Sequence, residues 1–269
     1  MSKVVLITGA SSGIGKSIGV YLGQKGFKVY GTARNPKNYP DHHEFPLVSL
    51  DVRHQESIDR CVSQLLDQEG KIDVLINNAG MGITGALEET PLDEVDRVMD
   101  TNFKGPIRVI NAVLPSMRSQ KIGLIINITS VAGFMGLPYR GIYSASKSAF
   151  EMITEAYRME LKGFGISMCA IAPGDFETNI AAGRFHTKVD ETSPYHPQYE
   201  FVLDQMNHHV KSGKDPIAVA KKVGQIINLK NPKVHYVVGS PLQKLSLTLK
   251  KLLPSKMYER MLMNHYKMS

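Results

Sequence analysis

Short apolar runs and amphipathic stretches take turns along this chain. VVLIT (4–8), FKVYGT (27–32), FPLVSL (45–50), IDVLIN (72–77), GLIINIT (123–129), GISMCAI (165–171) and VHYVV (234–238) are rich in branched aliphatic residues. They predict seven strands. Several are apolar without alternation, as expected of strands covered on both faces. Between them, residues near 14–25, 55–69, 92–118, 142–163 and 215–229 repeat their apolar positions at helical spacing. That rhythm predicts an α/β fold: a doubly wound, seven-stranded parallel sheet with helices on both faces.

With 269 residues, 42% hydrophobic and 21% charged, the chain suits one globular domain with a real core. No linker divides it. The rhythm breaks over 179–214, rich in His, Tyr and Pro, and again after 241. The expected organisation is a catalytic domain over 1–241, with an insertion acting as a substrate lid, and an extension over 242–269.

Charge changes the picture only at the end. The formal net charge is +7, and 242–269 carries +5 of it, six basic residues against Glu259 alone. In the same segment Leu242, Leu245, Leu249 and Leu252 recur at helical spacing, Pro254 interrupts, and Met257, Met261 and Tyr266 continue. Two short amphipathic helices with basic faces result. They could pack on the body, touch a membrane surface, or serve a dimer contact or a lid. The N-terminal apolar run is too short for a signal segment, and no 18-residue apolar stretch occurs. The expectation is a cytoplasmic protein, with peripheral membrane contact through the tail and no nucleic-acid partner. Cys61 and Cys169 lie far apart, and neither they nor His42-His43 and His208-His209 fall in a metal spacing. Reduced thiols and no metal are expected.

TGASSGIGKS (8–17) joins the first strand to the first helix. Gly9, Gly13 and Gly15 permit a tight turn, and the helix N-terminus offers N–H groups to a phosphate. A phosphate loop of G-x-x-x-x-G-K-[ST] type competes with a dinucleotide turn. In that register Gly15, Lys16 and Ser17 fit, but Ala10 stands where glycine is required. The later strands also lack a terminal aspartate for magnesium.

Thr8 to Gly15, Asn77-Asn78-Ala79-Gly80, Ser130, Tyr143-x-x-x-Lys147 and Pro173-Gly174-x-x-x-Thr178 together resemble the successive motifs of the short-chain dehydrogenase/reductase family. They occur in its order over about residues 3–178. The resemblance implies a Rossmann-type fold and a nicotinamide cofactor held by Thr8, Gly9, Ser11, Ser12, Gly13, Ile14, Gly15, Asp51, Val52, Asn78, Ala79, Gly80, Tyr143, Lys147, Pro173, Gly174 and Thr178. It also implies catalysis by Ser130, Tyr143 and Lys147, with Asn102 linking the lysine to a proton-relay water, and a homodimer or tetramer formed through the long helices. A homodimer is the expectation.

Arg34 ends the second strand, where an acidic residue would bond ribose hydroxyls. A guanidinium suits a 2′-phosphate instead, so NADP(H) is the expected cofactor. A second Tyr–Lys pair, Tyr21 and Lys25, sits late in the first helix, away from its phosphate-binding end, and needs no catalytic role. Tyr143 and Lys147 follow a strand that ends near Ser130, where ligands of parallel sheets bind. A tyrosine can deliver a proton to a carbonyl oxygen, and an ammonium one turn away favours the phenolate. A protein that only senses a cofactor has no need of that donor, so an enzyme is expected over a sensor. The candidate pocket walls, Met81, Val131, Phe134, Met135, Leu137, Tyr139 and Phe185, are mostly apolar and hold no Arg or Lys cluster. They favour a hydrophobic ketone, aldehyde or alcohol, of the steroid, retinoid or long-chain type that similar extended relatives reduce. Asp175 is unusual for its place; it faces either solvent or the substrate.

Overall fold

The computed structural model describes residues 2–176, 183–211 and 213–268. Thr178 lies outside them, as do the side chains of His208 and His209. In chain order the elements are β1 (Val4–Ile7), α1 (Gly13–Gln24), β2 (Lys28–Ala33), β3 (Leu47–Ser49), α2 (Gln55–Glu69), β4 (Val74–Asn77), β5 (Ile83–Thr84), α3 (Leu92–Met99) and α4 (Gly105–Gln120). They continue as β6 (Gly123–Ile128), α5 (Gly141–Glu160), β7 (Ile166–Pro173), β8 (Phe185–His186), α6 (His196–Lys211), α7 (Ile217–Ile227), β9 (His235–Val238), α8 (Pro241–Leu252) and α9 (Ser255–His265).

Seven strands form one parallel sheet in the order β3-β2-β1-β4-β6-β7-β9. The unbroken apolar runs follow from burial on both faces. Val4 and Leu6 of β1 point into a core shared with α2 and α4, and Val5 and Ile7 into the core under α1 and α7. Both thiols are free and buried, and burial pushes each up to about 12. After β3 the chain returns to the other side of β1, so the connections diverge between β1 and β4. A crevice opens at the carboxyl ends of such a pair.

One expected helix differs. The helix predicted over 92–118 is two helices, α3 and α4, joined by a π-helical turn at Asp100–Lys104. Within the insertion β8 pairs in parallel with β5, Ile83 opposite Phe185, and α6 follows. Tyr199 of α6 is buried and donates its hydroxyl toward the carbonyls of Thr84 and Thr187, at 3.1 and 3.2 Å. The tail forms two helices packed on the body through buried Tyr258 and Tyr266.

The edge strand β9 is tied to α5 by one side chain. His235 Nδ1 lies 2.8 Å from Glu151 Oε2 and its Nε2 3.0 Å from Glu155 Oε1. The hydrogen bond to Glu151, followed by the other carboxylate contacts, holds the imidazole above its ordinary value against the opposing effect of burial. A raised histidine stabilises fully below its unfolded value of about 6.5, and that contribution is lost as pH rises through the folded value. Raising the pH from about 6 to about 9 is therefore expected to lower the Tm of the wild type more than that of His235→Asn. Parallel Tm–pH curves would contradict this clamp.

Candidate active site

One cavity of about 1080 Å³ runs along the carboxyl ends of the strands. Such a volume is at the upper end for a single small ligand and leaves room for two. One end is built by the turn before α1. Gly9 and Gly13 have φ of +64° and +55°, and a Cβ on Gly9 would meet Ala79 Cα at 2.9 Å. Glycine is required there by both backbone sign and space. Ser12 sits at the N-cap of α1 without using its side chain as a cap, and the first turn holds no acidic residue. Its amide end and the hydroxyls of Ser11 and Ser12, which line the cavity, are thus available to a phosphate.

Thr8 and Gly15 are absent from the cavity wall. The buried Thr8 hydroxyl accepts from the amides of Asn78 and Ala79, both at 3.0 Å, and Asn78 Nδ2 donates to the carbonyls of Thr8 and Gly9. A Cβ on Gly15 would fall 2.4 Å from Gly9 O, so this glycine closes the turn from behind. Lys16 forms a 2.6 Å ion pair with Glu44 and does not line the cavity, which leaves the phosphate-loop reading without its lysine.

Farther along, Ala33, Arg34, Asp51 and Val52 form the wall. Arg34 is exposed and makes no ion pair among the described residues. Sequence reasoning missed Arg53. It grips Asp51 through Nε and Nη2 at 3.1 and 2.8 Å, and these bonds hold the carboxyl below its usual range. The available cationic group at this end is therefore Arg34. The donor set fits a dinucleotide with an extra phosphate on its adenosine ribose.

At the other end, Ser130, Tyr143 and Lys147 meet, all buried to less than a tenth of their exposed area. Ser130 follows β6, and its Oγ accepts from Ala132 N at 3.1 Å. That occupies a lone pair and leaves the hydroxyl proton free to donate into the cavity. Tyr143 and Lys147 are one turn apart on α5, with Nζ 6.0 Å from the tyrosine ring centre. Lys147 Nζ donates to Ile128 O at 3.1 Å and keeps two further protons. Asn102, fully buried in the π-turn, accepts from Met81 N at 2.8 Å and donates to Met81 O and Ser146 Oγ at 2.9 and 3.1 Å. A Cβ on Gly80 would meet both Asn102 Oδ1 and Lys147 Nζ, at 3.3 and 3.4 Å. The cluster is consequently pinned from three elements. The second pair is elsewhere: the Tyr21 ring packs toward Gly224 of α7, with Lys25 Nζ 5.8 Å above it.

The substrate side needed correction. Met81, Val131, Met135 and Leu137 line the cavity, but Phe134, Tyr139 and Phe185 do not. Phe134 packs edge-on to His235 at 6.4 Å, Tyr139 against Tyr195 and Tyr199, and Phe185 behind Met81 and Leu137. Their places are taken by the tail: Leu242, Leu245, Leu249, Met261 and Leu262 are wall residues. Nor is the wall free of cations, since Arg140 and Arg184 belong to it. Pro173 and Gly174 line it too, and Asp175 faces the tail: Gln243 Nε2 donates to Asp175 Oδ2 at 2.8 Å. Gln243 also closes a capping box with Ser240, so Asp175 latches the start of α8 to the turn after β7.

Residues 3–189 match the model of a family described as short chain dehydrogenase. The chain belongs to the short-chain dehydrogenases. Across 96% of its length it is 38% identical to a 3-ketodihydrosphingosine reductase of Bacteroides thetaiotaomicron, 95% of which is covered. Across 86% it is 32% identical to retinol dehydrogenase 8 of Bos taurus, with 79% covered. The fold also matches that of a short-chain dehydrogenase/reductase from Burkholderia phymatum in complex with NAD, at 26% identity, 92% coverage of each chain and a TM-score of 0.80. ElxO with NADP bound matches at 27% identity and a TM-score of 0.71, with 89% of this chain and 97% of that one covered. This short-chain dehydrogenase is thus an oxidoreductase acting on CH–OH or C=O groups. Among its described residues no helix is long and apolar enough to cross a membrane, and no group of three or more His, Cys, Asp or Glu could hold a metal.

Asn102→Ala would leave the half-buried amide and carbonyl of Met81 without these partners. At about 1–3 kcal/mol for each orphaned group, a stability loss of about 2–4 kcal/mol is expected in urea unfolding. A loss below about 1 kcal/mol would mean that the π-turn does not hold Met81 in place.

Proposed function

We propose that the enzyme is an NADP(H)-dependent reductase of hydrophobic ketones or aldehydes, working through Ser130, Tyr143 and Lys147. The observation that carries this reading is the cavity itself. It joins an uncompensated arginine at the cofactor end to a buried Ser–Tyr–Lys cluster, and then to a wall of leucine and methionine from the tail. The relatives named for 3-ketodihydrosphingosine and retinol support a long or extended apolar substrate.

NADP(H), when bound, supplies or accepts the hydride. Gly9, Ser11, Ser12, Gly13 and Ile14 would hold its phosphates, Arg34 the 2′-phosphate, Asp51 and Val52 the adenine side, and Ala79, Gly80, Pro173 and Gly174 the nicotinamide side. Asn78, with Thr8 and Gly15, keeps that cradle in shape. Tyr143 gives its hydroxyl proton to the carbonyl oxygen as negative charge develops there. Ser130 donates a hydrogen bond to the same oxygen, which stabilises that charge. Lys147 favours the phenolate left behind by its charge. Asn102 holds the Met81 turn against this group. Tail and insertion close the apolar side and limit water.

The same reading gives the exposed Leu252 and Met257, beside Lys250, Lys251 and Lys256, to an anionic lipid surface. It gives the exposed Met152 and Met159 of α5 to a homodimer contact. Vesicle sedimentation and mass in solution check both, and a monomer that ignores anionic vesicles would contradict them.

The functional test follows NADPH and NADH oxidation against aldehydes and ketones of rising chain length. The expected result is kcat/KM rising with chain length. Arg34→Ala should weaken NADPH by about tenfold or more, as the loss of a charged hydrogen bond implies, and leave NADH nearly unchanged. Equal weakening of both cofactors, or no dependence on chain length, would overturn the reading.

A further inference from the structure

The mechanism above leaves two wall residues without work. Arg140 begins α5, with its guanidinium carbon 5.5 Å from the Tyr143 ring centre. Arg184 arrives from the insertion and lies across Gly82, where a Cβ would come within 2.9 Å of Arg184 Cγ. Both line the cavity, and Arg184 feels the charge of Arg140. Among the described residues neither forms an ion pair with a carboxylate. Arg140 instead lies near Tyr266 of the tail. The Nη1 of Arg184 is sealed from solvent and has no hydrogen-bond partner.

The other groups facing Arg184 are Tyr143, Tyr199, Asp175 and His186. Asp175 is the one carboxylate among them, and its Oδ2 already accepts from Gln243. Two guanidiniums on the wall of one cavity repel each other and are costly to desolvate. Their arrangement is relieved by an anion that accepts from both, and a carboxylate matches the forked geometry of arginine.

We propose that Arg140 and Arg184 form a carboxylate subsite beside Tyr143, so that the preferred substrate is an amphiphile. Its apolar chain lies along Leu242, Leu245 and Leu249, and its acid group sits a few bonds from the reacting carbonyl. This deepens the reductase reading and rests on it for the carbonyl alone. A long-chain oxo acid fits the subsite. A chain bearing an ammonium at the same place, as in 3-ketodihydrosphingosine, is disfavoured by like charge.

The test separates binding from turnover. Decanoate, decanol and decylamine are titrated calorimetrically into the enzyme saturated with NADP+, for the wild type, Arg184→Met and Arg184→Lys. The wild type should bind decanoate about tenfold or more tighter than decanol, as expected for a charge-assisted hydrogen bond, and decylamine most weakly. Arg184→Met should bring decanoate to the level of decanol, and Arg184→Lys should keep part of the preference. The NADPH dissociation constant should stay constant in both, with folding checked by Tm.

Equal binding of decanoate and decanol by the wild type overturns the subsite. So does a weakening of NADPH in Arg184→Met, which would give the arginine to a cofactor phosphate. Turnover is then compared between 4-oxo fatty acids and their methyl esters. If decanoate is preferred but neither oxo compound is reduced, the reductase reading fails while the subsite stands. If the esters are reduced as well as the acids and decanoate has no advantage, the reductase stands and the subsite falls.

Discussion

The site depends on a lock between two neighbouring strands. At the end of β1 the Thr8 hydroxyl takes the amides of Asn78 and Ala79, and from the end of β4 the Asn78 side chain returns to the carbonyls of Thr8 and Gly9. The connections diverge between these two strands, so their carboxyl ends splay and leave backbone groups that no ladder can use. Pairing those groups with each other holds the crevice open and dry at its base. The glycine turn before α1, Gly80 against Lys147, and Met81 against Asn102 all build outward from it.

The far wall is built by segments outside the sheet's rhythm. Asp175, just past β7, bonds Gln243 in the capping box of α8. A Cβ on Gly174 would meet Gln243 Oε1 at 2.0 Å, so any side chain there would displace the Gln243 amide from this latch. From this latch α8 and α9 run back over the cavity. Tyr266 packs with Val202 and Met206 of α6, and Gln198 Nε2 donates to Tyr266 O at 2.6 Å. Insertion and tail therefore close on each other as well as on the body. A change in the tail alters the substrate cavity directly.

Backbone-dictated parts of the site were legible in the sequence. Glycine spacing, doubly buried strands and a Tyr–Lys pair behind a strand end each have a local physical cause. What stayed hidden depends on which way a side chain turns in three dimensions. Phe134 reads as a pocket residue by position, yet it turns to His235 on β9, a hundred residues later. Arg184 falls in a segment without periodicity, and only its crossing over Gly82 brings it beside Tyr143. The tail's helical spacing showed an apolar stripe without showing its partner. The helix over 92–118 looked continuous because its apolar positions run on past the π-turn, although Gly105-Pro106, which opens α4, was an available signal of the break.

The central claim is that Tyr143 transfers the proton at a site assembled around this lock. The direct measurement is single-turnover NADPH oxidation with a long-chain ketone by Tyr143→Phe, beside NADPH binding by the same variant. The account predicts that NADPH still binds while hydride transfer slows by about a hundredfold or more, the scale of general acid catalysis. Full-speed transfer in Tyr143→Phe would contradict it.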